Sequence, residues 1–177
     1  MVHEYSKYSR HLKSLDSESK LLRFGHKVSD EYIDKLCNEV ERDPLNHILF
    51  CIEDRNLTII AIGHIATKGE MELAFSVLKE HQGQGLGDKL MKRCIQYCRT
   101  HNILRGAMVC LASNDAIKHL CIKNGIRIRS EYGETMAEIE LPQPQVSTYV
   151  KEQFDVNLEI LDYFSKRFIK LDNRLPQ

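Results

Sequence analysis

Residues 71–87 read MELAFSVLKEHQGQGLG, an apolar run followed by a polar stretch and three closely spaced glycines. The run Met71–Leu78 predicts a β-strand, which the polar residues 79–82 end just before the glycines. After the glycines, apolar residues recur at helical spacing with polar residues opposite, so we expect a helix that reaches about His101. The apolar positions of this helix are Leu86, Leu90, Met91, Cys94, Ile95 and Cys98.

The glycine loop, residues 82–87, lies where the strand passes into the first turn of the helix. The first N–H groups of a helix have no partner within it and carry the positive end of the helix dipole, so the loop can bind a phosphate group. The loop is not a Walker loop, because no Gly-Lys-Ser or Gly-Lys-Thr follows, and it lacks the G-x-G-x-x-G spacing of dinucleotide-binding proteins. These residues alone leave two interpretations open: an anion site, or a turn that needs unusual backbone angles.

Elements on both sides of this segment predict an α/β fold. A short helix is predicted to begin after Ser29, because two acidic residues and a 3.6-residue apolar pattern follow it. Residues 48–52 and 57–66 are β-branched runs that should form an antiparallel meander with Met71–Leu78. Ala107–Leu111 predicts a strand buried on both faces, and the strand, helix, strand order implies that it runs parallel to Met71–Leu78.

The C-terminal third of the chain contains a helix, a hairpin and a second, longer helix. Asn114 is expected to cap a helix that ends at Asn124-Gly125, and residues 126–129 and 135–141 to form a hairpin around Tyr132-Gly133. Two prolines at 142 and 144 mark a break. We therefore expect one domain at 1–141, then a linker and an amphipathic helix at 142–177, which packs either on its own sheet or on a second subunit or another partner. The stripe of this helix is Val150, Phe154, Leu158, Leu161, Phe164, Phe168 and Leu171.

Composition excludes several classes of function. With 25 basic and 25 acidic residues the formal charge is zero, and no basic run is interleaved with aromatic residues, so a nucleic-acid partner is not expected. Residues 1–20 contain no apolar stretch, which predicts a protein that is neither secreted nor membrane-spanning, and therefore cytoplasmic. The six cysteines form no CxxC pair and are expected to be reduced core thiols rather than metal ligands.

Taken in order, the segment from residue 72 to residue 125 resembles the GNAT superfamily of N-acetyltransferases. The residues that carry this resemblance are Glu72-Leu73-Ala74-Phe75-Ser76-Val77, Gln82-x-x-Gly85-x-Gly87, Asn114, Leu120, Lys123 and Gly125. A second set is similar to the catalytic domain of bacterial Pat-type protein lysine acetyltransferases: Ser17-x-Ser19-x-x-x-Arg23-Phe24, Ser29-Asp30-Glu31 and Glu72-x-Ala74.

The resemblance implies a GNAT fold, with a mixed central sheet whose two parallel strands splay into a wedge that holds acetyl-CoA. The backbone of Phe75, Ser76 and Val77 would contact the pantetheine arm, and the N–H of Val77 would face the thioester carbonyl as an oxyanion contact. The pyrophosphate would rest on Gly83–Asp88. The full set of expected cofactor-binding residues is Phe75, Ser76, Val77, Gln82, Gly83, Gln84, Gly85, Leu86, Gly87, Asp88, Asn114 and Cys121.

Glu72 is the expected general base. A lysine amine is protonated at neutral pH, so transfer of an acyl group to it needs a base, and Glu72 matches the glutamate that has this role in the Pat-like enzymes. Apolar walls would raise the pKa of its carboxyl group toward neutrality, whereas a solvated edge position is the alternative. Glu70 and Glu80 lie in turns and rank lower. Cys121 occupies the position where many GNAT enzymes place a tyrosine that protonates the departing thiolate of coenzyme A. Its presence predicts that solvent helps this thiolate to leave.

These expectations describe an N-acetyltransferase that moves the acetyl group of acetyl-CoA to a primary amine. The preferred acceptor is a protein lysine side chain, whose amine attacks the thioester directly in a ternary complex. Two alternatives stay open: a small-molecule amine as acceptor, and a non-catalytic acyl-CoA-binding or interaction protein. A homodimer through the C-terminal helix is a further expectation.

Overall fold

The computed structural model describes residues 2–131 and 134–172. Six α-helices, one short 3-10 helix and six strands lie in that part of the chain. The helices are α1 (Val2–Ser14), α2 (Ser17–Phe24), α3 (Asp30–Arg42), α4 (Leu86–Thr100), α5 (Asp115–Lys123) and α6 (Val146–Asp172). The strands are β1 (His47–Glu53), β2 (Ile59–Ala66), β3 (Met71–Val77), β4 (Arg105–Leu111), β5 (Arg127–Glu131) and β6 (Glu134–Glu140). The predicted turn Tyr132-Gly133 lies outside the described residues.

A single mixed sheet in the order β1-β2-β3-β4-β6-β5 forms the centre of the fold. The antiparallel meander β1-β2-β3 is confirmed, and so is the parallel pairing of β3 with β4 across α4. This parallel pairing is very short: Met71 pairs with Gly106 and Glu72 with Ala107, after which the strands diverge. A wedge therefore opens between the carboxyl-terminal halves of β3 and β4.

Gly106 allows the two strands to meet at the closed end of the wedge. A Cβ atom at this position would overlap the carbonyl oxygen and the side chain of Met71. Only glycine lets the backbones approach this closely. The wedge thus has a fixed vertex at residues 71–72 and 106–107.

The sheet separates two apolar clusters. On one face, β3 and β4 pack against α4 and α5 through a cluster that includes Met71, Leu73, Met91, Cys94, Cys98, Met108, Ile117 and Cys121. On the other face, α1 and α3 cover β2 through a cluster that includes Tyr8, Leu12, Ile33, Val40, Ile60 and Ile62. Because side chains alternate along a strand, Met71 and Leu73 point toward α4, and residues 72, 74 and 76 point toward α1 and α2.

Two expectations about burial are wrong. β4 is not buried on both faces, since Val109 exposes 58% of its surface. Cys51 is not a core thiol but is exposed, because β1 is the edge strand of the sheet. The other five cysteines are buried, and none of the six forms a disulfide bond.

Residues 2–24 form two helices that the sequence analysis did not predict. α1 buries Tyr8 and Leu12, and Leu15 is buried just after its end; these residues are separated by polar and charged ones. α2 begins after Asp16, whose carboxylate accepts a hydrogen bond from the N–H of Ser19. None of the helices in the described part of the chain combines the length and apolar character needed to cross a membrane.

α6 lies along α4 through polar contacts. Arg93 of α4 forms ion pairs with Glu152 at 2.9 Å and with Glu159 at 2.6 Å. Gln96 donates to the carbonyl oxygen of Thr148 at 2.6 Å. The apolar stripe of the helix faces away from the domain, and Phe154, Leu158, Leu161, Phe164 and Phe168 are exposed.

Candidate functional site

Two backbone amides of β3 are directed into the wedge. The N–H of Leu78 donates to the carbonyl oxygen of Ile60 at 2.9 Å, so the even-numbered residues of β3 form the hydrogen-bonded pairs with β2. The amides of Phe75 and Val77 therefore point in the opposite direction, toward β4. Because β4 has already diverged there, these amides face the gap rather than a neighbouring strand. An extended amide-bearing ligand could occupy the place of the missing strand.

Ser76 has a different position from its two neighbours. Its backbone belongs to the pairs with β2, and its side chain is buried on the α1 face. His11 of α1 lies next to it: Nδ1 of His11 donates to the carbonyl oxygen of Ile59 at 3.0 Å, and Nε2 accepts from the Ser76 hydroxyl at 2.9 Å. Burial lowers the pKa of His11, which keeps the imidazole neutral for this arrangement. Of the three strand residues predicted to bind cofactor, the geometry presents Phe75 and Val77 to the wedge but not Ser76.

The glycine loop leads from the end of β3 to the start of α4. Gly83 and Gly85 adopt left-handed backbone angles, with φ of 74° and 76°. Gly85 is the N-cap of α4 and supplies no side-chain cap, so the first amides of α4 are open to an anion. Gly87 has an ordinary φ, but a Cβ atom there would lie 3.0 Å from a methyl group of Leu120. The loop is thus a turn that needs glycine, and the anion site stays a prediction that the open amides of the first turn of α4 support.

The loop side chains are held by the protein. Nε2 of Gln82 donates to the carbonyl oxygen of Val77 at 3.2 Å, and Nε2 of Gln84 donates to that of Glu80 at 3.3 Å. Leu86 packs against the cluster of α1 and α3. We therefore expect the backbone of this segment, not its side chains, to be what a diphosphate would contact.

Asp88 carries a negative charge close to the anion site, but two lysines neutralise it. Its carboxylate accepts hydrogen bonds from Lys92 at 2.8 Å, from Lys123 at 2.9 Å and from Nδ2 of Asn124 at 3.2 Å. The bonds from Lys92 and then Lys123 hold the pKa of the Asp88 carboxyl far below its usual value. The carboxylate thus fixes α5 to α4, and its backbone N–H is the part of Asp88 that can meet a phosphate.

Helix α2 connects the two arms of the wedge. On the β3 arm, Nε2 of Gln82 donates to the hydroxyl of Ser19 at 3.2 Å, and Lys79 forms an ion pair with Glu18 at 2.8 Å. On the β4 arm, Nδ2 of Asn114 donates to the carbonyl oxygen of Leu22 at 3.4 Å. The other end of the Asn114 amide accepts from the N–H of Ile117 at 3.1 Å and caps α5, as predicted.

Glu72 lies at the closed end of the wedge. It pairs with Ala107 at the last position where β3 and β4 run together, and its side chain is on the face of α1 and α2. The residue is exposed, so a molecule arriving from solvent can reach the carboxylate. Glu70 and Glu80 are also exposed and lie outside β3: Glu70 in the bend before the strand, and Glu80 in a short 3-10 helix, Lys79–His81, after it.

The Cys121 thiol does not line the wedge surface. The residue is 1% exposed and packs in the cluster of α4 and α5. Burial raises the pKa of its thiol to about 11. A fully buried side chain cannot contact a cofactor in this conformation. Cys121 is therefore a core residue.

A buried polar chain on the α1 face was not predicted from the sequence. The Tyr8 hydroxyl lies 3.4 Å from Nδ1 of His64, and Nε2 of His64 lies 2.9 Å from Nδ1 of His47. Burial raises the pKa of Tyr8 to about 12, against the opposing charge of Arg23, and lowers that of His64 to about 3. A histidine inside the apolar strand 59–66 was the sequence feature that could have indicated such a group.

Comparisons with known proteins agree with this geometry. The GNAT domain of S. lividans PAT has a TM-score of 0.66 and 21% identity, over 80% of this chain and 87% of that domain. The PaiA N-acetyltransferase of Thermoplasma acidophilum, solved with coenzyme A, has a TM-score of 0.61 and 16% identity, over 78% and 94% of the two chains. The ribosomal-protein-S18-alanine N-acetyltransferase of Escherichia coli gives 0.58 and 16%, over 82% and 92%.

At these identities the likenesses show a shared fold, and no curated protein matches the sequence significantly. The family assignment comes from the sequence itself, since the profile described as "Acetyltransferase (GNAT) family" matches residues 11–125. That match covers more than half of the chain and includes the wedge strands, the glycine loop and α5. The chain therefore belongs to the acetyltransferase (GNAT) family.

Proposed function

We propose that this protein acetylates lysine side chains of other proteins, with Glu72 as the general base. Its family makes it an N-acetyltransferase that uses acetyl-CoA as co-substrate and an amine as acceptor. The observation that carries the finer proposal is the position of Glu72, an exposed carboxylate at the vertex of the wedge.

The chain provides a place for each part of the co-substrate. The amides of residues 83–88 suit the diphosphate, and the wedge-facing amides of Phe75 and Val77 suit the pantetheine arm. When bound, acetyl-CoA supplies an activated thioester. The N–H of Val77 would stabilise the negative charge that develops on the carbonyl oxygen of the thioester. One such donor typically contributes about 10²–10³ in rate.

Glu72 has the role of freeing the attacking amine. A lysine amine has a reference pKa of about 10.4 and carries a proton at neutral pH. Glu72 would accept that proton directly or through one water, which typically contributes about 10²–10⁴ in rate. No acid for the leaving thiolate is assigned, because the buried Cys121 is a poor one and solvent can supply the proton.

The acceptor class rests on the α2 face of the wedge. Glu72 is reached from solvent rather than through an enclosed cavity, so an extended lysine side chain on a large partner can approach it. The motif Ser17-x-Ser19-x-x-x-Arg23-Phe24, which resembles Pat-type enzymes, forms α2 next to this approach. Both observations support a protein acceptor.

The test measures transfer from labelled acetyl-CoA to a lysine-containing peptide and, separately, to spermidine. We expect the peptide to be acetylated and Glu72→Gln to lower kcat about 100-fold while acetyl-CoA binding, measured by calorimetry, is retained. Glu80→Gln is the matched control and should keep full activity. Transfer to spermidine alone would refute the protein acceptor, and an equally active Glu72→Gln would refute the base.

We also propose that α6 pairs with α6 of a second copy of the chain. Glu152, Glu159 and Lys166 are spaced by seven residues and contact Arg93 and the carbonyl oxygen of Glu53, so they hold one side of the helix on the domain. Phe154, Leu161 and Phe168 repeat with the same spacing on the opposite side.

The exposed surface of this stripe fits a homodimer. Its large apolar side chains are mostly exposed, with Phe154 at 63%, Leu161 at 64% and Phe168 at 76%, and a standard interface buries about 800 Å² of each partner. Sedimentation equilibrium should show a dimer for the wild type and a monomer for Leu161→Glu, with Gln153→Glu as the control that stays dimeric. A monomeric wild type would refute the pairing.

A cytoplasmic location is proposed as well. None of the six cysteines forms a disulfide bond, and five are buried core thiols, which suits a reducing compartment. Fractionation of cells that express the full chain would test this location.

A further inference from the structure

A cavity separate from the wedge lies between α1, the turn that joins β1 to β2, and the C-terminal half of α6. Its volume is about 620 Å³, within the range of small-molecule sites. None of the residues predicted to bind acetyl-CoA lines it. The acetyl-transfer site therefore leaves this cavity without a role.

Its lining is strongly cationic. Lys7 and Arg10 enter from α1 and Arg167 from α6, and no carboxylate is found among the lining residues that the structure describes. The whole chain has a formal charge of zero, so this is a local concentration of positive charge. Cationic side chains on a cavity wall attract anions.

The partners of these cations leave two guanidinium groups available. Lys7 is neutralised by Glu53 at 2.6 Å. Arg167 donates to the Tyr163 hydroxyl at 2.7 Å, which carries no charge. Among the side chains that the structure describes, those of residues 5–130 and 135–168, Arg10 has no hydrogen-bond or ion-pair partner. One guanidinium group can donate two parallel hydrogen bonds to two oxygens of a phosphate or carboxylate group. Two arginines whose charges are not neutralised therefore favour a phosphate-bearing ligand.

The remaining wall is apolar. Leu57, Ile59 and Leu78 line the cavity, and they would suit a planar or aliphatic part of the ligand. We propose that this cavity binds a small phosphorylated organic molecule of about nucleotide size, with Arg10 and Arg167 at its phosphate group.

This cavity is in contact with the catalytic strand. His11 lines it and is hydrogen-bonded to Ser76, which lies between Phe75 and Val77 on β3. A ligand against His11 is therefore one side chain away from the strand whose amides face the wedge. Occupancy of the cavity should alter the KM for acetyl-CoA, and this second part rests on the proposed function.

Calorimetry on the full chain tests binding without any activity assay. The probes are AMP and inorganic phosphate at constant ionic strength, with wild type, Arg10→Ala and the control Arg55→Ala, an exposed arginine of the same turn that does not line the cavity. We expect AMP to bind, Arg10→Ala to weaken it at least tenfold, and Arg55→Ala to bind as the wild type does.

The outcomes distinguish a phosphorylated organic ligand from inorganic phosphate. AMP binding more tightly than phosphate supports a ligand with an organic part, whereas phosphate binding alone overturns that part of the proposal. Absence of binding by both probes, equal affinity of Arg10→Ala, or displacement of AMP by acetyl-CoA overturns the site. AMP binding with an unchanged KM for acetyl-CoA overturns the coupling through His11 but not the site.

Discussion

The hydroxyl of Ser19 accepts a hydrogen bond from Nε2 of Gln82, and this bond ties helix α2 to the glycine loop. The same helix accepts from Asn114 through the carbonyl oxygen of Leu22, on the other arm of the wedge. One two-turn helix thus spans the gap between the strands that diverge. It has the position to set how wide the wedge opens.

Ser19→Ala should therefore weaken acetyl-CoA binding. Loss of one hydrogen bond of about 1 kcal/mol predicts a roughly fivefold higher KM for acetyl-CoA with little change in kcat. Ser17→Ala, an exposed serine of the same helix, should behave as the wild type, and Ser19→Thr should restore the low KM. Equal KM values for Ser19→Ala and the wild type would show that the bond does not position the loop.

Gly106→Ala should separate the strands at the vertex. The new methyl group meets the Met71 carbonyl oxygen, and overpacking of this kind typically costs about 1–3 kcal/mol. Thermal unfolding should show Tm lower by several degrees, since about 1 kcal/mol shifts Tm by roughly 2–4 °C at this chain length. Val109→Ala, at an exposed site on the same strand, should change Tm little. An unaltered Tm for Gly106→Ala would contradict the close approach.

The unfolding free energy should fall as the pH is lowered from 6.5. Buried His64 keeps a pKa of about 3 when folded, whereas in the unfolded chain its pKa is near the model value of 6.5. Protons therefore bind preferentially to the unfolded chain between these values, at a cost of up to about 1.4 kcal/mol per pH unit. His11, with its pKa also lowered by burial, acts in the same direction.

Urea unfolding at pH 7.5, 6.5 and 5.5 measures this dependence. His64→Gln should flatten it, and His119→Gln, an exposed histidine, should leave it unchanged. A wild-type stability that is constant down to pH 5.5 would mean that His64 is not buried as a neutral group.

Cys121→Ala should retain activity within about twofold of the wild type. Its thiol is buried and its pKa is raised to about 11, so it neither donates a proton nor attacks the acetyl group. Cys98→Ala, which removes another fully buried thiol from the same cluster, controls for the loss of packing. A 100-fold loss in Cys121→Ala alone would assign chemistry to this residue.

Much of the fold follows from local patterns in the sequence. The two-residue alternation at 71–77, the glycines and the 3.6-residue repeat of α4 each fix one local geometry, and their order implies the parallel crossover. α1 was missed because its apolar residues, Tyr5, Tyr8 and Leu12, alternate with polar and charged residues, which conceals the apolar face. The exposed Val109 was missed because composition does not show where a neighbouring strand turns away.

The site was predictable only in part. The backbone N–H groups of Phe75 and Val77 face the wedge and that of Ser76 does not, because hydrogen-bond directions alternate along a strand. Which residues point which way depends on the register of β3 with β2. The contacts of Asp88 with Lys123 and of Ser19 with Gln82 join residues that are 35 and 63 positions apart in the chain. No sequence spacing contains that information.

The bridge made by α2 limits how this enzyme could acquire new acceptors. Residues on that helix border the approach to Glu72 and also brace the loop that is expected to grip the diphosphate. A substitution that reshapes the acceptor side will therefore tend to disturb the grip on the donor. Selectivity should consequently change more readily through segments that touch one substrate only.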